Sequence, residues 1–351
     1  MRVLPKFLLL FSFILGKGFP TPKIDYSPRS YVCYKAPAPI LVDGKMNDPF
    51  WEKVDWSESF VDIEGDLKPL PFFDTKVKML WDEKYFYFGA KMEDPHVWAT
   101  LTKRDAVIFK DNDFEIFLDP DGDTHHYYEL EVNALETEWD LLLLKPYRDQ
   151  AKVAVDSWDI PGLITKVHVD GTINDPSDID KGWSVEIAIP WKALEECAPN
   201  FHPLEGEQWK INFSRVHWNT KIENGQYIKT KLPEYNWVWS PQGIIAMHYP
   251  EMWGLVQFTE TIVGEELVEI QANELDQIKW ALRQLYYRER NHFENHGDFT
   301  TSLKKLELIE TPVADVPWPP ELSLTPSGWE AFIKMDRQKV FIRRDGKVWF
   351  E

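Results

Sequence analysis

The chain has 351 residues, of which 44% are hydrophobic and 28% are charged, and its formal net charge at pH 7 is −19. A chain this acidic repels nucleic acids and anionic membranes, so we expect neither as a partner. The charge is compatible with neutral sugars or with cations. After the first eighteen residues no apolar run is long enough for a membrane-spanning helix, so we expect no membrane insertion.

The first eighteen residues have the pattern of a secretory signal peptide. A basic start is followed by an apolar stretch over 7–15 that is too short to span a bilayer, and then by the small-x-small tripeptide G-K-G. A buried N-terminal strand is the alternative interpretation. The pattern predicts a signal peptide over 1–18 and a secreted, periplasmic or cell-surface location. Residues 19–39 are polar and contain prolines, which predicts a linker.

Residues 40–260 alternate short strand patterns with turn signals. In the segment D-F-E-I-F-L (113–118), apolar residues alternate with two carboxylates, so one face of the strand is apolar and the other is acidic. Asn224-Gly225 between two strand patterns is typical of a hairpin. Many short strands with frequent turns predict a mainly β domain, either a sandwich or a barrel.

The pattern changes after residue 264. Apolar residues then follow a helical period over 275–285, and glycine 297 is suited to end that helix. Near the C-terminus, Asp345-Gly346 is typical of a hairpin turn. We therefore predict a small α+β unit over 265–351 that docks on the β domain and could also bind a protein partner.

Four motifs follow one another along the β domain: V-D-G-K-M-N-D-P-F-W (42–51), W-D-E-K-Y-F-Y-F-G-A-x-x-x-D (81–94), D-N-D-F-E-I-F-L-D-P (111–120) and G-W-S-V-E-I-A-I-P-W-K-A-L (182–194). Together they resemble the family 9 carbohydrate-binding modules. The resemblance implies an antiparallel β-sandwich over 40–260. It also implies sugar binding rather than catalysis, with a polysaccharide or oligosaccharide as the partner.

The same resemblance implies part of a sugar site. Phe109 falls where the family commonly has a stacking tryptophan, Glu115 matches a glutamate that binds sugar hydroxyls, and Asn133 matches a sugar-contacting amide. Glu131 falls where an arginine is usual, so the charge is reversed. This reversal disfavours acidic sugars and favours neutral sugars or a calcium-bridged ligand. The alternative interpretation is a solvated acidic strand face.

Further candidates follow in W-K-I-N-F-S-R-V-H-W (209–218) and Y-N-W-V-W-S (235–240). Arg215 and His217 share one strand face, where Arg215 could bond sugar hydroxyls or form a structural salt bridge. Trp239 is the candidate for a second stacking wall, with core packing as its alternative. His248 lies near the position of the family's other clamping tryptophan, which this sequence lacks.

Two features could involve a metal or a disulfide. Asp119, Asp121 and Asp123 have a spacing that suits calcium, and an acidic turn is the alternative. No other cofactor is expected. Cys33 and Cys197 could form a disulfide in an exported protein, or they could remain as two thiols.

The leading hypothesis is a secreted, non-catalytic carbohydrate-binding protein that is an accessory in polysaccharide recognition or carbohydrate catabolism. A glycoside hydrolase would need a catalytic pair such as Glu115 and Glu131. A haem-binding sandwich would use Met79, Met92 and His217. A surface scaffold is the fourth hypothesis.

Overall fold

The computed structural model describes residues 18–149, 152–335 and 338–351. All but the last residue of the predicted signal peptide therefore lies outside the described residues. Within these ranges, no helix has both the length and the apolar character that crossing a bilayer requires.

The described residues form nineteen strands and one α-helix. The strands of the β domain are β1 (Ser30–Lys35), β2 (Val61–Asp62), β3 (Thr75–Trp81), β4 (Tyr85–Glu93), β5 (Asp113–Asp119), β6 (Tyr127–Asn133), β7 (Glu138–Leu143), β8 (Ala154–Val155), β9 (Ile164–Asp170), β10 (Gly182–Pro190), β11 (Gln208–His217), β12 (Thr220–Glu223), β13 (Gln226–Lys229), β14 (Tyr235–Val238) and β15 (Gly254–Ile262). The C-terminal elements are α1 (Glu274–His296), β16 (Glu321–Thr325), β17 (Gly328–Lys334), β18 (Lys339–Arg343) and β19 (Val348–Phe350).

The β domain is a sandwich of two sheets. The first sheet has the order β8-β7-β6-β5-β11-β15, and the second has the order β1-β3-β4-β10-β9. β1 joins them, because Ser30–Cys33 and Lys35 pair with β15, whereas Tyr34 and Lys35 pair with β3. Both of these pairings are parallel, whereas the other pairings of the two sheets are antiparallel. The predicted fold class, an antiparallel β-sandwich followed by an α+β unit, is confirmed.

Aromatic rings fill the space between the two sheets. The ring of Phe86 in β4 lies 6.3 Å from Trp209 in β11 and 5.1 Å from Phe258 in β15. Trp191 stacks on Phe86 at 5.2 Å. Each large ring removes a large apolar area from water, so this cluster is the main source of sandwich stability.

The motif at 42–51 is held on the outer face of the second sheet by one carboxylate. Glu186 of β10 accepts hydrogen bonds from the backbone N–H groups of Asp43 (2.8 Å) and Gly44 (2.6 Å) and from Trp51 Nε1 (2.7 Å). Gly44 has φ +84°, and a Cβ there would lie 2.7 Å from the carbonyl carbon of Val167. The position therefore requires glycine.

Two sequence predictions need correction. β1 lies inside the range 19–39 that was predicted as a linker, because Tyr31 and Cys33 are buried core residues of the sandwich. The disulfide is absent, since Cys33 and Cys197 are both free thiols. Cys33 of β1 packs in the sandwich core, whereas the N–H of Cys197 donates to the hydroxyl of Tyr128 (3.0 Å).

The C-terminal unit consists of α1 and the antiparallel sheet β16-β17-β18-β19. Asn273 caps the start of α1 by accepting from the N–H of Asp276 (3.3 Å), and Gly297 ends the helix with φ +79°. The apolar face of α1 packs with β17 and β18 into a second core, which also includes Phe19, Tyr249 and Met252 from outside the unit. The predicted helix and its glycine cap are confirmed, and α1 is a little longer than its sequence pattern.

A buried ion cluster joins this unit to the sandwich. Glu251 lies just before β15 and pairs with Arg148 (2.9 Å), and it also accepts from the hydroxyl of Tyr287 in α1 (2.5 Å). Arg283 of α1 lies 3.8 Å away. Burial raises the pKa of Glu251, but Arg148 and Arg283 outweigh it and lower the value to about 2.

We expect Glu251→Gln to lower the free energy of unfolding at pH 7 by roughly 3–5 kcal/mol, because it leaves buried arginines without a compensating charge. The pKa of Glu251 falls from 4.5 to about 2 on folding. Its stabilisation is therefore complete above the unfolded value and lost as the pH falls toward the folded value. Denaturant titrations of parent and variant should converge over that pH window. Glu266→Gln, at an exposed position, is the control and should change stability by less than about 0.5 kcal/mol.

Candidate functional site

Four carboxylates share the outer face of the first sheet. In β5 and β6 the apolar residues, such as Phe114 and Leu130, point into the sandwich core. Strand alternation then places the intervening residues on the opposite face. Glu115 pairs directly with Glu131 across the two strands and with Ser214 of β11 on its other side. We call Asp113, Glu115, Glu129 and Glu131 the acidic floor.

The floor carboxylates are close together and buried. Oxygen atoms of Asp113, Glu115 and Glu131 lie within 4.8 Å of one another, and no floor residue is more than 5% exposed. Glu131 accepts from the N–H of Phe109 (2.8 Å), and Asp113 Oδ1 accepts from the N–H of Val216 (3.2 Å). Asp113 Oδ2 and Glu129 Oε2 are buried and have no hydrogen-bond partner among the described residues.

Burial dominates the electrostatics of the floor. It raises the pKa of Glu115 to about 7, with a small opposing effect from the Ser214 hydroxyl. Burial, and after it the charge of Glu115, raises the pKa values of Asp113, Glu129 and Glu131 well above their usual range. The floor therefore disfavours four simultaneous negative charges at neutral pH.

Aromatic side chains surround the floor. Phe109 is 37% exposed and lies directly beside Glu131 through its N–H bond. Trp139 of β7 is half-buried and stands opposite Glu131 in the sheet. Tyr147 is 44% exposed, and its ring lies 4.5 Å from that of His248, whose Nε2 is 4.0 Å from Glu129 of the floor.

Trp218 completes the set, because its Nε1 donates to the carbonyl oxygen of Phe109 (2.8 Å). We call Phe109, Trp139, Tyr147 and Trp218 the aromatic rim. Sequence reasoning selected only Phe109 from it. The signal for Trp218 was present, since it lies four residues after Ser214 and strand alternation places it on the same face. The partners of Trp139 and Tyr147 depend on strand register, which the sequence does not show.

Asn133 has a structural role instead of the predicted contact with a sugar. It is fully buried, its amide N–H₂ donates to the Leu101 carbonyl (2.9 Å) and to Asp111 (3.1 Å), and its oxygen accepts from the N–H groups of Leu135 (3.0 Å) and Thr137 (3.1 Å). These bonds occupy both amide atoms and hold the turn after β6. The prediction for Asn133 is therefore corrected.

Arg215 and His217 also lie away from the acidic floor. Arg215 is completely buried, bonds Asp94 (3.3 Å) and Thr75 (3.0 Å), and shares its face of β11 with the core residue Phe213. His217 stacks on the ring of Trp237 at 5.1 Å, and burial together with Arg215 lowers its pKa to about 3. Arg215 therefore forms the structural salt bridge, with Asp94, and does not lie where a sugar contact was expected.

Trp239 packs in the sandwich core and offers no stacking face to a ligand. It is fully buried, its ring lies 5.9 Å from Phe213, and its Nε1 donates to Glu58 (3.3 Å). The core alternative for Trp239 is therefore the right one. His248, in contrast, does reach the candidate site, with Nε2 4.0 Å from Glu129 and its ring 4.5 Å from Tyr147.

The acidic turn after β5 brings Asp119, Asp121 and Asp123 within 4.8 Å of one another. Two lysines of the C-terminal unit lie against it. Lys347 pairs with Asp123 (2.9 Å), and Lys279 donates to the carbonyl oxygen of Asp121 (2.8 Å). Two ammonium groups thus supply positive charge at the turn, and calcium binding there stays a prediction.

The positions of the residues support neither the glycoside hydrolase hypothesis nor the haem-binding hypothesis. Glu115 and Glu131 are side-by-side neighbours on one sheet face, whereas a glycosidase needs its two carboxyl groups on either side of the bond that breaks. Met79 and Met92 are buried in the apolar core between the sheets, and His217 stacks on Trp237.

We expect Arg215→Leu to lower stability rather than sugar affinity. The change leaves Asp94 buried without its cation, which typically costs about 3–5 kcal/mol. Denaturant unfolding measures the loss. Adding Asp94→Asn to Arg215→Leu should recover part of it, and a double variant as unstable as the single one would argue against the ion pair.

The amino-acid sequence of residues 42–212 matches the family described as carbohydrate family 9 binding domain-like. That range contains the acidic floor together with Phe109, Trp139 and Tyr147. Residues 42–212 belong to this family. The resemblance seen in the four motifs is thereby confirmed, and we call this part of the chain the family 9 domain.

Two enzymes also match parts of the chain. Exoglucanase XynX of Acetivibrio thermocellus is 27% identical over 154 residues, which are 44% of this chain and 12% of that protein. Endo-1,4-beta-xylanase C of Paenibacillus barcinonensis is 33% identical over 88 residues, which are 25% of this chain and 7% of that protein. The chain thus spans about a tenth of the length of these relatives.

Solved structures resemble the chain more distantly. One from Bacteroides uniformis ATCC 8492 has 18% sequence identity and a TM-score of 0.49, and the match covers 66% of this chain and all of that one. A family 9 carbohydrate-binding module from Caldicellulosiruptor kristjanssonii, solved with cellotriose, has 16% identity and a TM-score of 0.43. That match covers 69% of this chain and all of the module.

Proposed function

We propose that this chain is an exported, non-catalytic carbohydrate-binding protein, an accessory in polysaccharide recognition or carbohydrate catabolism. The observation that carries the proposal is the family match over residues 42–212, because that range includes the acidic floor and most of the aromatic rim. The outer face of β5 and β6 is therefore the proposed binding surface.

The chemistry of this surface suits a sugar. The exposed ring of Phe109 and the half-buried ring of Trp139 can each cover the apolar C–H face of a pyranose. Carboxylates such as Glu115 accept hydrogen bonds from vicinal hydroxyls, and bonds to charged groups are stronger than neutral ones. An acidic surface disfavours uronates, so the proposed ligand is a neutral oligosaccharide or polysaccharide.

The class of sugar is proposed from the relatives. One is an exoglucanase and the other an endo-1,4-beta-xylanase, so cello-oligosaccharides and xylo-oligosaccharides are the first probes. The non-catalytic role is supported by the side-by-side position of Glu115 and Glu131. Incubation of the protein with a glucan or with a xylan should release no reducing sugar.

Export is supported by the pattern of the first eighteen residues alone. N-terminal sequencing of the protein from its native source should find a chain that begins near Phe19. A protein partner bound through the C-terminal unit stays a prediction from the sequence.

We expect Phe109→Ala to weaken binding of the responsive oligosaccharide about three- to tenfold, because a stacking contact contributes about 0.5–1.5 kcal/mol. The backbone N–H that donates to Glu131 is retained, so the floor should keep its geometry. Isothermal titration calorimetry measures the affinity, after a glycan array has identified the sugar.

The matched control is Phe201→Ala, since Phe201 is an exposed phenylalanine in the segment between β10 and β11. It should leave affinity unchanged, and Trp139→Ala should weaken it as Phe109→Ala does. A parent protein that binds no glycan contradicts the proposal. Equal affinity in all the variants would place the site elsewhere.

A further inference from the structure

Three groups of carboxylates in the described part of the chain bring oxygen atoms within 4.8 Å of one another. Two of them have a cationic side chain in place. Arg104 bonds Asp140 (2.6 Å) and Asp159 (3.1 Å) in the first. Lys347 and Lys279 contact the turn at Asp119, Asp121 and Asp123. Each of these groups therefore has at least one cationic side chain against it, although Asp119 Oδ1 at the turn is buried without a hydrogen-bond partner.

The third group, on the acidic floor, has no such partner. Among the described residues, no lysine or arginine nitrogen lies within 4.0 Å of Asp113, Glu115, Glu129 or Glu131. His248 Nε2 lies 4.0 Å from Glu129, beyond hydrogen-bond distance, and its Nδ1 is hydrogen-bonded with the hydroxyl of Tyr127 (2.9 Å). Buried charges without compensation are costly, so the floor needs a positive partner or bound protons.

An independent observation points to a ligand. Glu129 lies outside the close group but on the same face of β6, two residues before Glu131. It is 95% buried, and its Oε2 has no hydrogen-bond partner in the described structure. Asp113 Oδ2 is also buried and also lacks a hydrogen-bond partner there. Buried acceptors without donors are rare in folded proteins, and both oxygens belong to this one face.

We propose that Asp113, Glu115 and Glu131, with Glu129 as a fourth carboxylate, bind one divalent cation of the calcium class, and that this cation coordinates sugar hydroxyls. The ligands are all hard oxygens, which calcium prefers. Magnesium seldom uses a cage made of protein carboxylates alone, so calcium fits better.

The coordination number leaves room for a sugar. Calcium takes about six to eight oxygen ligands. Glu131 and Asp113 each already accept one backbone N–H bond, which leaves at most six floor oxygens for the cation, at the lower end of that range. Two vicinal hydroxyls can fill the remaining positions while a pyranose ring lies against the aromatic rim. This second half of the inference rests on the proposed carbohydrate function, whereas the cation site does not.

The first test is calcium titration of the EDTA-treated full chain by calorimetry. The parent should bind one calcium ion, and Glu131→Gln should weaken that binding roughly tenfold or more. Glu266→Gln, at an exposed position, is the control and should leave affinity within about twofold. Asp121→Asn tests whether the acidic turn binds the ion instead. No calcium binding by the parent, or loss in Asp121→Asn with retention in Glu131→Gln, would overturn the cation site.

Thermal unfolding separates a lost ligand from a misfolded variant. Without calcium, Glu131→Gln should melt at or above the parent temperature, because it removes a buried charge that has no partner. Added calcium should raise the melting temperature of the parent and of Glu266→Gln, but not that of Glu131→Gln. Should Glu131→Gln fail to fold, Asp113→Asn replaces it in the same comparison.

The second test measures binding of the responsive oligosaccharide with calcium and with EDTA. EDTA should weaken binding to the parent tenfold or more, and calcium should restore it. If the affinity for the oligosaccharide is the same with EDTA as with calcium, the calcium-mediated contact is overturned, whatever the calcium titration shows. Calcium binding without binding of any glycan would support the cation site and reject the carbohydrate function.

Discussion

The alternation of side chains in β5 and β6 is the constraint on which the candidate site depends. The sandwich core takes every second residue of these strands, Phe114 and Ile116 in one and Leu130 and Val132 in the other. The remaining residues therefore lie on the outer face. Antiparallel pairing places Glu115 directly opposite Glu131. The apolar pattern that stabilises the domain thus also concentrates its carboxylates.

The free-energy cost of buried charge limits which charge states the acidic floor can have. Each buried charge without a partner costs several kcal/mol, whereas a domain of this kind is stable by about 5–15 kcal/mol in total. Four unpaired carboxylates would consume that margin. The floor must therefore carry protons, a cation or both. The two other acidic groups in the described chain each have cationic side chains against them, Arg104 at one and Lys279 and Lys347 at the other.

The sequence predicts local features well and long-range ones poorly. The acidic face of β5, the helix α1 and its glycine cap follow from residue patterns within a short stretch of chain. β1 was missed because its strand pattern is short, it lies among prolines, and its pairing partners are strands far away in sequence. The sugar contact of Asn133 is implied by the family resemblance alone, and its bond to the carbonyl of Leu101 depends on a tertiary contact that the sequence does not show.

Arg215 shows why two roles stay open in the sequence. Trp209, Ile211 and Phe213 predict by alternation that Arg215 faces the core, and it does. The sequence does not show its salt-bridge partner, because Asp94 follows β4 and is 121 residues away along the chain. Alternation was the stronger evidence, and it should be weighed before chemistry when a strand residue is assigned to a face.

The C-terminal unit bears on the site through the β5–β6 hairpin. The turn between these strands is fixed from outside, since Arg283 of α1 donates to Thr124 (3.1 Å) and the N–H of Val348 donates to the carbonyl of Asp123 (3.2 Å). Lys347 adds an ion pair to the same turn. The floor occupies the other half of the same two strands, only a few residues away. A shift of one residue in their register would move every carboxylate to the core face. The C-terminal unit therefore helps to hold the register on which the floor depends, although it contributes no residue to the floor.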